Sequence, residues 1–304
     1  MTRLGVLLTS YGSASGLGDV PRYLEHILGK PPTTAQVEGL RARYAALGGT
    51  TPLHETTRRQ AELLRAELAS RGDFRVAVGM KHSEPFISDA ARELCEAGVE
   101  RGVVVPLAPQ DSRMSVGGYH KSAREALASL PGAPPFSYVS GFATHPLLVQ
   151  AWADRVETAW VSLPGPARET ATVLFTAHSL PQRVLEWNDP YPGEVRRTCE
   201  AIAQAAGLPR WRQAYQSAVP GSPWLGPDVL DELSRLAEEG ARTVVVAPIG
   251  FVSDHLETLY DLDIEAKARA EKLGLRFLRC RALNDDPRFV RLLADVAMQG
   301  LTGP

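Results

Sequence analysis

The chain has 304 residues, of which 44% are hydrophobic and 22% are charged, and its formal net charge is −2. This composition is ordinary for a globular protein with one large or two medium domains, and it excludes bulk electrostatic attraction to nucleic acid or anionic membranes. No run approaches 18 consecutive apolar residues, and the apolar N-terminal run enters a Gly/Ser loop without a cleavage site. We therefore expect a cytoplasmic protein without stable membrane insertion.

Apolar runs rich in β-branched residues alternate with helical patterns along the chain. Strands are predicted at 3–9, 74–79, 101–107, 136–142, 171–177, 211–216, 242–249 and 275–281. Helices are predicted between them, for example at 55–71, 84–97, 146–162, 192–207 and 228–239, with a last one at 286–301. Strand, helix and strand in succession predict parallel sheets with right-handed crossovers.

The two halves of the chain also resemble each other. VLLTSYG at 6–12 matches VLFTAHS at 173–179, and each contains a Thr two residues before Tyr11 or His178. Similar strands recur in all α/β proteins, but the shared Thr favours an internal duplication. The sequence thus predicts an α/β fold with two similar Rossmann-like domains, each a four-stranded parallel sheet flanked by helices.

The predicted domain boundaries follow from this duplication. The first domain spans 1–143 and the second spans 144–285, and the C-terminal segment 286–304 is expected to pack back on the first domain. Tyr11 and His178 end the first strand of each half. If the domains face one another, both side chains lie in one cleft.

An acid-rich segment, FVSDHLETLYDLDIEAK at 251–267, directly follows one of the predicted buried strands. On an α-helix Glu257, Asp261 and Glu265 share one face, where like charges repel. A solvated helix face is the ordinary interpretation of such a row. However, ligands of open parallel sheets bind beyond the carboxyl ends of the strands, and a cation or leaving proton would relieve the repulsion.

His178 is the second candidate for chemistry. A lone His is more often a hydrogen-bonded structural residue than a ligand, but its combination with Tyr11 and the acid row favours a functional site. Imidazole with carboxylate and no Cys is a labile site for a borderline divalent metal. The glycine-rich loop YGSASGLG is neither a dinucleotide fingerprint nor a P-loop, and no Gly-x-Ser-x-Gly elbow is present.

Six motifs, in order, resemble those of one enzyme family. They are TSYGS, RYAALGGTTPL, GMKHSEPFI, TAHSLPQRVLEWNDPYP, QSAVPGSPWLGPDV and PIGFVSDHLETLYDLDIE. Together they resemble ferrochelatase, which inserts ferrous iron into a porphyrin bound between two Rossmann-like domains. The form GMKHSEPFI and the short chain are most similar to the coproporphyrin III ferrochelatases of Gram-positive and related bacteria, a branch that is typically monomeric.

The resemblance implies specific site residues. It assigns the iron site and catalysis to His178 and Glu257, and a path for protons or metal to Asp261 and Glu265. The implied substrate-binding residues are Tyr11 as the axial tyrosine, Arg43, Tyr44, Thr51 and Tyr119, with Lys81 and His82 lining the cleft. Two departures stand out. Leu28 replaces a propionate-binding Arg, for which Lys30 is a candidate substitute in the cleft, and Gln110-Asp111 replaces His-Phe.

The resemblance also implies the reaction and its partners. Coproporphyrin III and Fe²⁺ are the expected substrates, with no permanently bound cofactor and with transient contacts to other haem-pathway enzymes. The alternatives are a protoporphyrin IX ferrochelatase, another tetrapyrrole metal chelatase, or a non-catalytic carrier of haem or metal. Whether His178 accepts protons or ligates metal stays open. No iron–sulfur cluster is expected, because Cys95, Cys199 and Cys280 are dispersed and cannot supply four thiolates.

Overall fold

The computed structural model describes residues 2–219 and 221–302. Met1, Gly303, Pro304 and Pro220, the last within the QSAVPGSPWLGPDV motif, lie outside the described residues. The chain divides into two compact units: unit 1 comprises Met1–Phe142 and Asn284–Pro304, and unit 2 comprises Ala143–Leu283. Within the described residues, no helix combines the length and the apolar character needed to cross a membrane.

Unit 1 is built on a parallel sheet with the strand order β2-β1-β3-β4. Its strands are β1 (Arg3–Ser10), β2 (Asp73–Met80), β3 (Arg101–Pro106) and β4 (Phe136–Tyr138). Its helices are α1 (Val20–Leu28), α2 (Thr34–Ala46), α3 (Leu53–Leu68), α4 (Ile87–Glu96), α5 (Val116–Ala128) and the C-terminal helix Pro287–Thr302, which is α13 in chain order. Helix α13 packs against α3 and β3.

Unit 2 repeats this arrangement with the strand order β6-β5-β7-β8. Its strands are β5 (Ala171–His178), β6 (Trp211–Gln216), β7 (Thr243–Ala247) and β8 (Arg276–Arg279). Its helices are α6 (Pro146–Val161), α7 (Gly165–Glu169), α8 (Arg183–Glu186), α9 (Tyr191–Ala205), α10 (Val229–Glu238), α11 (Leu256–Leu259) and α12 (Lys267–Lys272), with a π-helix at Asp261–Ala266.

All eight predicted strands are present, and the predicted fold class is confirmed. Each unit places its first strand between its second and third, and every pairing is parallel. The central strands are buried on both faces: Val6, Leu7 and Leu8 of β1 are completely inaccessible to solvent. Helices that cover both faces of a parallel sheet require such continuous apolar runs.

Three helices of unit 1, α1, α2 and α5, were not among those named from the sequence. Helix α2 buries only Tyr44, so it lacks the apolar period that identifies a helix, although Thr33 and Gln36 form a capping box at its start. Helix α5 carries two glycines in its first turn, which weaken its helical signal. Packing stabilises these segments more than local preference does: α2 packs against α1, and α5 packs against α4 and β3.

Candidate functional site

His178 is the last residue of β5, and its backbone is held firmly in place. The Tyr191 hydroxyl donates to the His178 carbonyl at 2.8 Å, and the Ser179 amide donates to the Gln216 carbonyl at 2.8 Å. A side chain at Gly250 would lie 2.6 Å from the Ala177 Cβ, so glycine is needed where the loop after β7 approaches this strand. The tip of β5 is therefore fixed by its neighbours.

The imidazole of His178 lies against the carboxylate of Glu257. Its Nε2 is 3.3 Å from Glu257 Oε1, and the two side chains are 33% and 27% exposed. Its Nδ1 contacts the Ser179 carbonyl oxygen. A protonated Nδ1 donating to this carbonyl leaves Nε2 of the neutral ring with a lone pair directed toward Glu257. The ring can thus accept a proton, or bind a cation, at Nε2.

The two side chains shift each other's pKa. Burial alone would raise the pKa of Glu257, but the charge and hydrogen bond of His178, together with His255, lower it well below its usual value. Burial alone would lower the pKa of His178, but Glu257 and the Ser179 carbonyl outweigh it and raise that pKa. The carboxylate therefore stays ionised and stabilises a proton or a cation on the imidazole.

These shifts predict a pH dependence of stability in the metal-free protein. The contribution of Glu257 is present above its unfolded pKa of about 4.3 and is lost as the pH falls toward its lowered folded pKa. The contribution of His178 is full below its unfolded pKa of about 6.5 and is lost as the pH rises through its raised folded pKa. The pair should therefore stabilise the fold most between about pH 4.3 and pH 6.5.

Urea unfolding of the unmodified protein and of Glu257→Gln at about pH 5.5 and about pH 8.5 checks this prediction. The substitution should lower the free energy of unfolding more at the lower pH, because His178 then carries the charge that Glu257 stabilises. Equal losses at both pH values would show that the two groups are not coupled in the folded protein.

A second histidine, which sequence reasoning did not assign to the site, contacts the same carboxylate. His255 Nε2 lies 3.6 Å from Glu257 Oε2, and His255 Nδ1 lies 3.0 Å from the Ser253 carbonyl oxygen. Glu257 thus lies between two imidazoles. The signal in the sequence is the spacing His-x-Glu just after a strand, which places both side chains at the start of α11.

The acidic segment is not the continuous α-helix that the sequence analysis assumed, so the predicted i, i+4, i+8 row on one α-helical face is wrong. The Tyr260 carbonyl accepts hydrogen bonds from both the Ile264 amide at 3.1 Å and the Glu265 amide at 3.0 Å, which widens the turn into a π-helix. Asp261 is buried against the Ser217 hydroxyl, whereas Glu265 is exposed. The carboxylates differ in environment instead of sharing one solvated face.

The end of β6 also holds this segment. The Gln216 side-chain amide donates to the Glu257 carbonyl at 2.7 Å, and its oxygen accepts from the Thr176 hydroxyl at 2.8 Å. Ser217, the next residue, has a φ of 65° and reaches Asp261. A non-glycine residue in this conformation is uncommon and is sustained by surrounding structure, often at functional sites.

Unit 1 groups Tyr11 with Lys81 and His82. Tyr11 is 42% exposed just beyond β1, and its ring centroid lies 4.6 Å from that of His82. The His82 amide donates to the Tyr11 carbonyl at 2.9 Å, and the Lys81 amide donates to the Ser10 carbonyl at 2.9 Å. Burial, together with Lys81 and His26, lowers the pKa of His82 to about 4, so this imidazole is neutral at physiological pH.

Tyr44 and Thr51 organise the loop that follows β1. The Tyr44 hydroxyl lies 2.7 Å from Ser13 Oγ and accepts from the Ala14 amide at 3.0 Å, while Ser13 Oγ lies 2.9 Å from Thr51 Oγ1. Tyr44 is only 1% exposed. These groups therefore hold the loop beside Tyr11, and their contact with a porphyrin stays a prediction.

The remaining predicted residues of unit 1 lie in different environments. Tyr119 packs in the apolar core between the sheet and α4, whereas Leu28 and Lys30 are exposed at and just beyond the end of α1. Arg43 lies in the last turn of α2. A common cleft for Tyr11 and His178 involves both units and stays a prediction.

The tertiary structure defines the class: this is an α/β protein of two units, each with a four-stranded parallel sheet. Unit 2 carries a His–Glu pair at the tip of its first strand. Its solved structural neighbours include SirB from Bacillus subtilis with Fe³⁺ (TM-score 0.62, 13% identity, 99% of this chain and 96% of that one). Another is the sirohydrochlorin chelatase SirB from Bacillus subtilis subspecies spizizenii in complex with cobalt (TM-score 0.58, 12% identity, 100% and 97% coverage). At such identities this likeness shows the fold alone.

Sequence comparison is more specific. The Ferrochelatase family model matches residues 3–301. The ferrochelatase of Herpetosiphon aurantiacus is 42% identical over 97% of this chain and 98% of its own length. The coproporphyrin III ferrochelatases of Anoxybacillus flavithermus and Bacillus subtilis are 41% and 37% identical, each over 98% of this chain and over 96% and 98% of their own lengths. The chain belongs to the ferrochelatase family, which confirms the resemblance read from its motifs.

Proposed function

We propose that this ferrochelatase inserts Fe²⁺ into coproporphyrin III, giving iron coproporphyrin for haem biosynthesis, and that His178 and Glu257 act on the metal and the pyrrole protons. The observation that carries the proposal is the His178 Nε2 to Glu257 Oε1 distance of 3.3 Å at the tip of β5. Two relatives that match nearly the whole chain are named coproporphyrin III ferrochelatases, which supports this choice of porphyrin.

The chemistry of insertion explains why an imidazole and a carboxylate are needed. A free-base porphyrin loses two pyrrole protons while Fe²⁺ exchanges its waters for pyrrole nitrogens. Nε2 of neutral His178 can accept such a proton, and the ionised Glu257 stabilises the resulting imidazolium. The same two groups form a weak N/O ligand pair for Fe²⁺, which suits a metal that must be released to the porphyrin.

Asp261 and Glu265 are proposed as the path along which protons leave or metal arrives. Glu257 is partly buried, Asp261 is 5% exposed, and Glu265 is exposed at the surface. Carboxylates along a segment that reaches the surface can pass a cation or a proton in steps. Among residues 2–219 and 221–302, no group of three or more His, Cys, Asp and Glu side chains is placed to hold a metal ion.

The surface around Tyr11 is proposed to receive the porphyrin. Tyr11 offers an exposed phenol as an axial ligand, the His82 ring lies beside it, and Lys81 precedes His82 in the chain. Arg43, Thr51 and Lys30 are proposed contacts for propionates, with Lys30 acting where Leu28 has replaced an arginine. Tyr44 and Tyr119 are buried and would act on this surface by shaping its walls.

Substrate choice follows from the number of propionates. Coproporphyrin III carries four and protoporphyrin IX carries two, and one further charge-assisted contact is worth about 1.5–3 kcal/mol, or roughly tenfold or more in preference. We therefore expect a higher kcat/KM for coproporphyrin III. Anaerobic assays with ferrous iron and each porphyrin measure this directly. A clear preference for protoporphyrin IX would overturn the proposed substrate and leave the ferrochelatase family assignment intact.

The proposal includes a monomeric cytoplasmic enzyme, transient contact with other haem-pathway enzymes, and no iron–sulfur cluster. Cys199 and Cys280 are buried, and burial raises the pKa of each thiol to about 12. Thiols of this kind are poor sources of the thiolates that a cluster requires. Visible absorbance together with acid-labile sulfide in anaerobically purified protein would contradict this part of the proposal.

A further inference from the structure

We propose that Arg279 is a positioning residue for iron insertion: it ties together both ends of segment 254–263 and so holds Glu257 against His178. The inference rests on the proposed roles of His178 and Glu257. Arg279 ends β8 and pairs in register with Val246 of β7, the strand from which the acidic segment departs. The sheet thus brings a guanidinium beside a segment that precedes it by 16 to 25 residues.

The guanidinium of Arg279 bridges two aspartates at opposite ends of this segment. Its Nε donates to Asp263 Oδ1 at 2.6 Å, and one of its terminal nitrogens donates to Asp263 Oδ2 at 2.8 Å. The other terminal nitrogen donates to Asp254 Oδ1 at 2.8 Å and to the Cys280 carbonyl at 3.1 Å. A planar fork that binds one carboxylate in bidentate fashion fixes its orientation as well as its distance.

This network is largely removed from solvent. The side chains of Arg279 and Asp254 are 10% and 7% exposed, and that of Asp263 is 37% exposed. Loss of one member of a buried ion pair leaves an uncompensated charge in the protein interior. The three groups therefore stabilise one arrangement of the segment, with Asp254 before α11 and Asp263 within the π-helix.

The residues between the two anchors need such support. Helix α11 has only four residues, and the π-helix that follows is a rare conformation, so neither is stable by itself. This stretch carries His255, Glu257 and Asp261. The position of the Glu257 carboxylate relative to His178 Nε2 therefore depends on how firmly the backbone between Asp254 and Asp263 is held.

The network also divides the acids of the segment by role. Asp254 and Asp263 share the single positive charge of Arg279, whereas Glu257 contacts histidines and Asp261 contacts the Ser217 hydroxyl. Asp254 and Asp263 thus position the segment and are not assigned to the path for metal or protons. Loss of the Asp263 contact should therefore impair iron insertion by displacing the Glu257 carboxylate.

Two variants of the full chain test the proposal. Asp263→Ala removes the bidentate contact and leaves the Asp254 contact, and Arg279→Lys keeps the charge without the planar fork. We expect amide hydrogen exchange in residues 254–266 to become at least about tenfold faster in both. We also expect KM for Fe²⁺ to rise by about fivefold or more, while KM for coproporphyrin III stays within about twofold, because displaced metal-site groups leave porphyrin contacts intact.

Arg212→Lys is the matched control. Arg212 also bridges two carboxylates of unit 2, Glu232 at 3.7 Å and Glu239 at 3.2 Å, but it does not contact the acidic segment. In the Arg212→Lys variant, amide hydrogen exchange in residues 254–266 and the KM for Fe²⁺ should equal those of the unmodified protein. Faster exchange in the two test variants with unchanged KM for Fe²⁺, or no change in either quantity, would overturn the positioning role.

The exchange measurement separates this inference from the proposed function. It is made without substrate, so it reports the tie between Arg279 and the segment even if His178 and Glu257 had other roles. Full turnover in His178→Ala would overturn the proposed function, whereas native exchange in Asp263→Ala and Arg279→Lys would overturn the role of Arg279.

Discussion

His178→Ala is expected to lower kcat for iron insertion by at least about 100-fold, since a positioned general base contributes about 10²–10⁴-fold. The substitution removes the only side chain at the tip of β5 that contacts Glu257 within the described residues, at 3.3 Å. Porphyrin binding should remain, because the proposed porphyrin contacts lie in unit 1. Anaerobic turnover with ferrous iron, together with fluorescence titration of coproporphyrin III, measures the two effects separately.

His145→Asn serves as the control for His178→Ala. His145 caps α6 by accepting from the Leu147 amide at 3.3 Å, and asparagine is also a favoured capping residue. The control should retain native turnover. If His178→Ala were also to retain it, the assignment of this histidine to the chemistry would be wrong.

Glu257→Gln is expected to lower kcat/KM for Fe²⁺ by roughly 100-fold as well, through the loss of charge with little change of shape. Glutamine can still contact His178 and His255, but it neither attracts Fe²⁺ nor stabilises an imidazolium. The pKa of His178, which the carboxylate raises, should fall in this variant. The initial rate as a function of Fe²⁺ concentration is the decisive measurement.

Glu200→Gln is a matched control for Glu257→Gln. Glu200 is exposed on α9, where it accepts from Arg196 at 2.6 Å, and an exposed ion pair contributes little to stability. Its loss should leave turnover unchanged. If Glu257→Gln were as active as this control, the negative charge beside His178 would have no role in metal insertion.

Several features of the site could be predicted from local sequence. An apolar run such as VLFTAH is a buried parallel strand wherever helices cover both of its faces, so it places His178 at a strand end. Glu257 was likewise assigned to the segment after TVVVAPIG, and the same His-x-Glu spacing also places His255 at the start of α11, although His255 was not assigned to the site from the sequence. These predictions depend on short segments and on the parallel order of the strands.

The environment of a predicted residue is not evident from the sequence. Tyr44 is predicted to bind substrate, which stays a prediction, and the structure places its hydroxyl in a buried hydrogen-bond network with Ser13 and the Ala14 amide. Motif resemblance identifies a residue type at a position, but it does not state which way the side chain points. That direction depends on how α2 packs on the loop after β1.

By itself, the sequence determined the eight strands, the parallel α/β class, the family and the pair His178 and Glu257, because period and motif are local properties of the chain. Only the tertiary structure decided the conformation and charge balance of the acidic segment. The pairing of Asp254 and Asp263 with Arg279 depends on the adjacency of β7 and β8. Asp254 and Arg279 are 25 residues apart, so no periodic pattern in the sequence indicates their contact. It forms only when the sheet sets the two strands side by side.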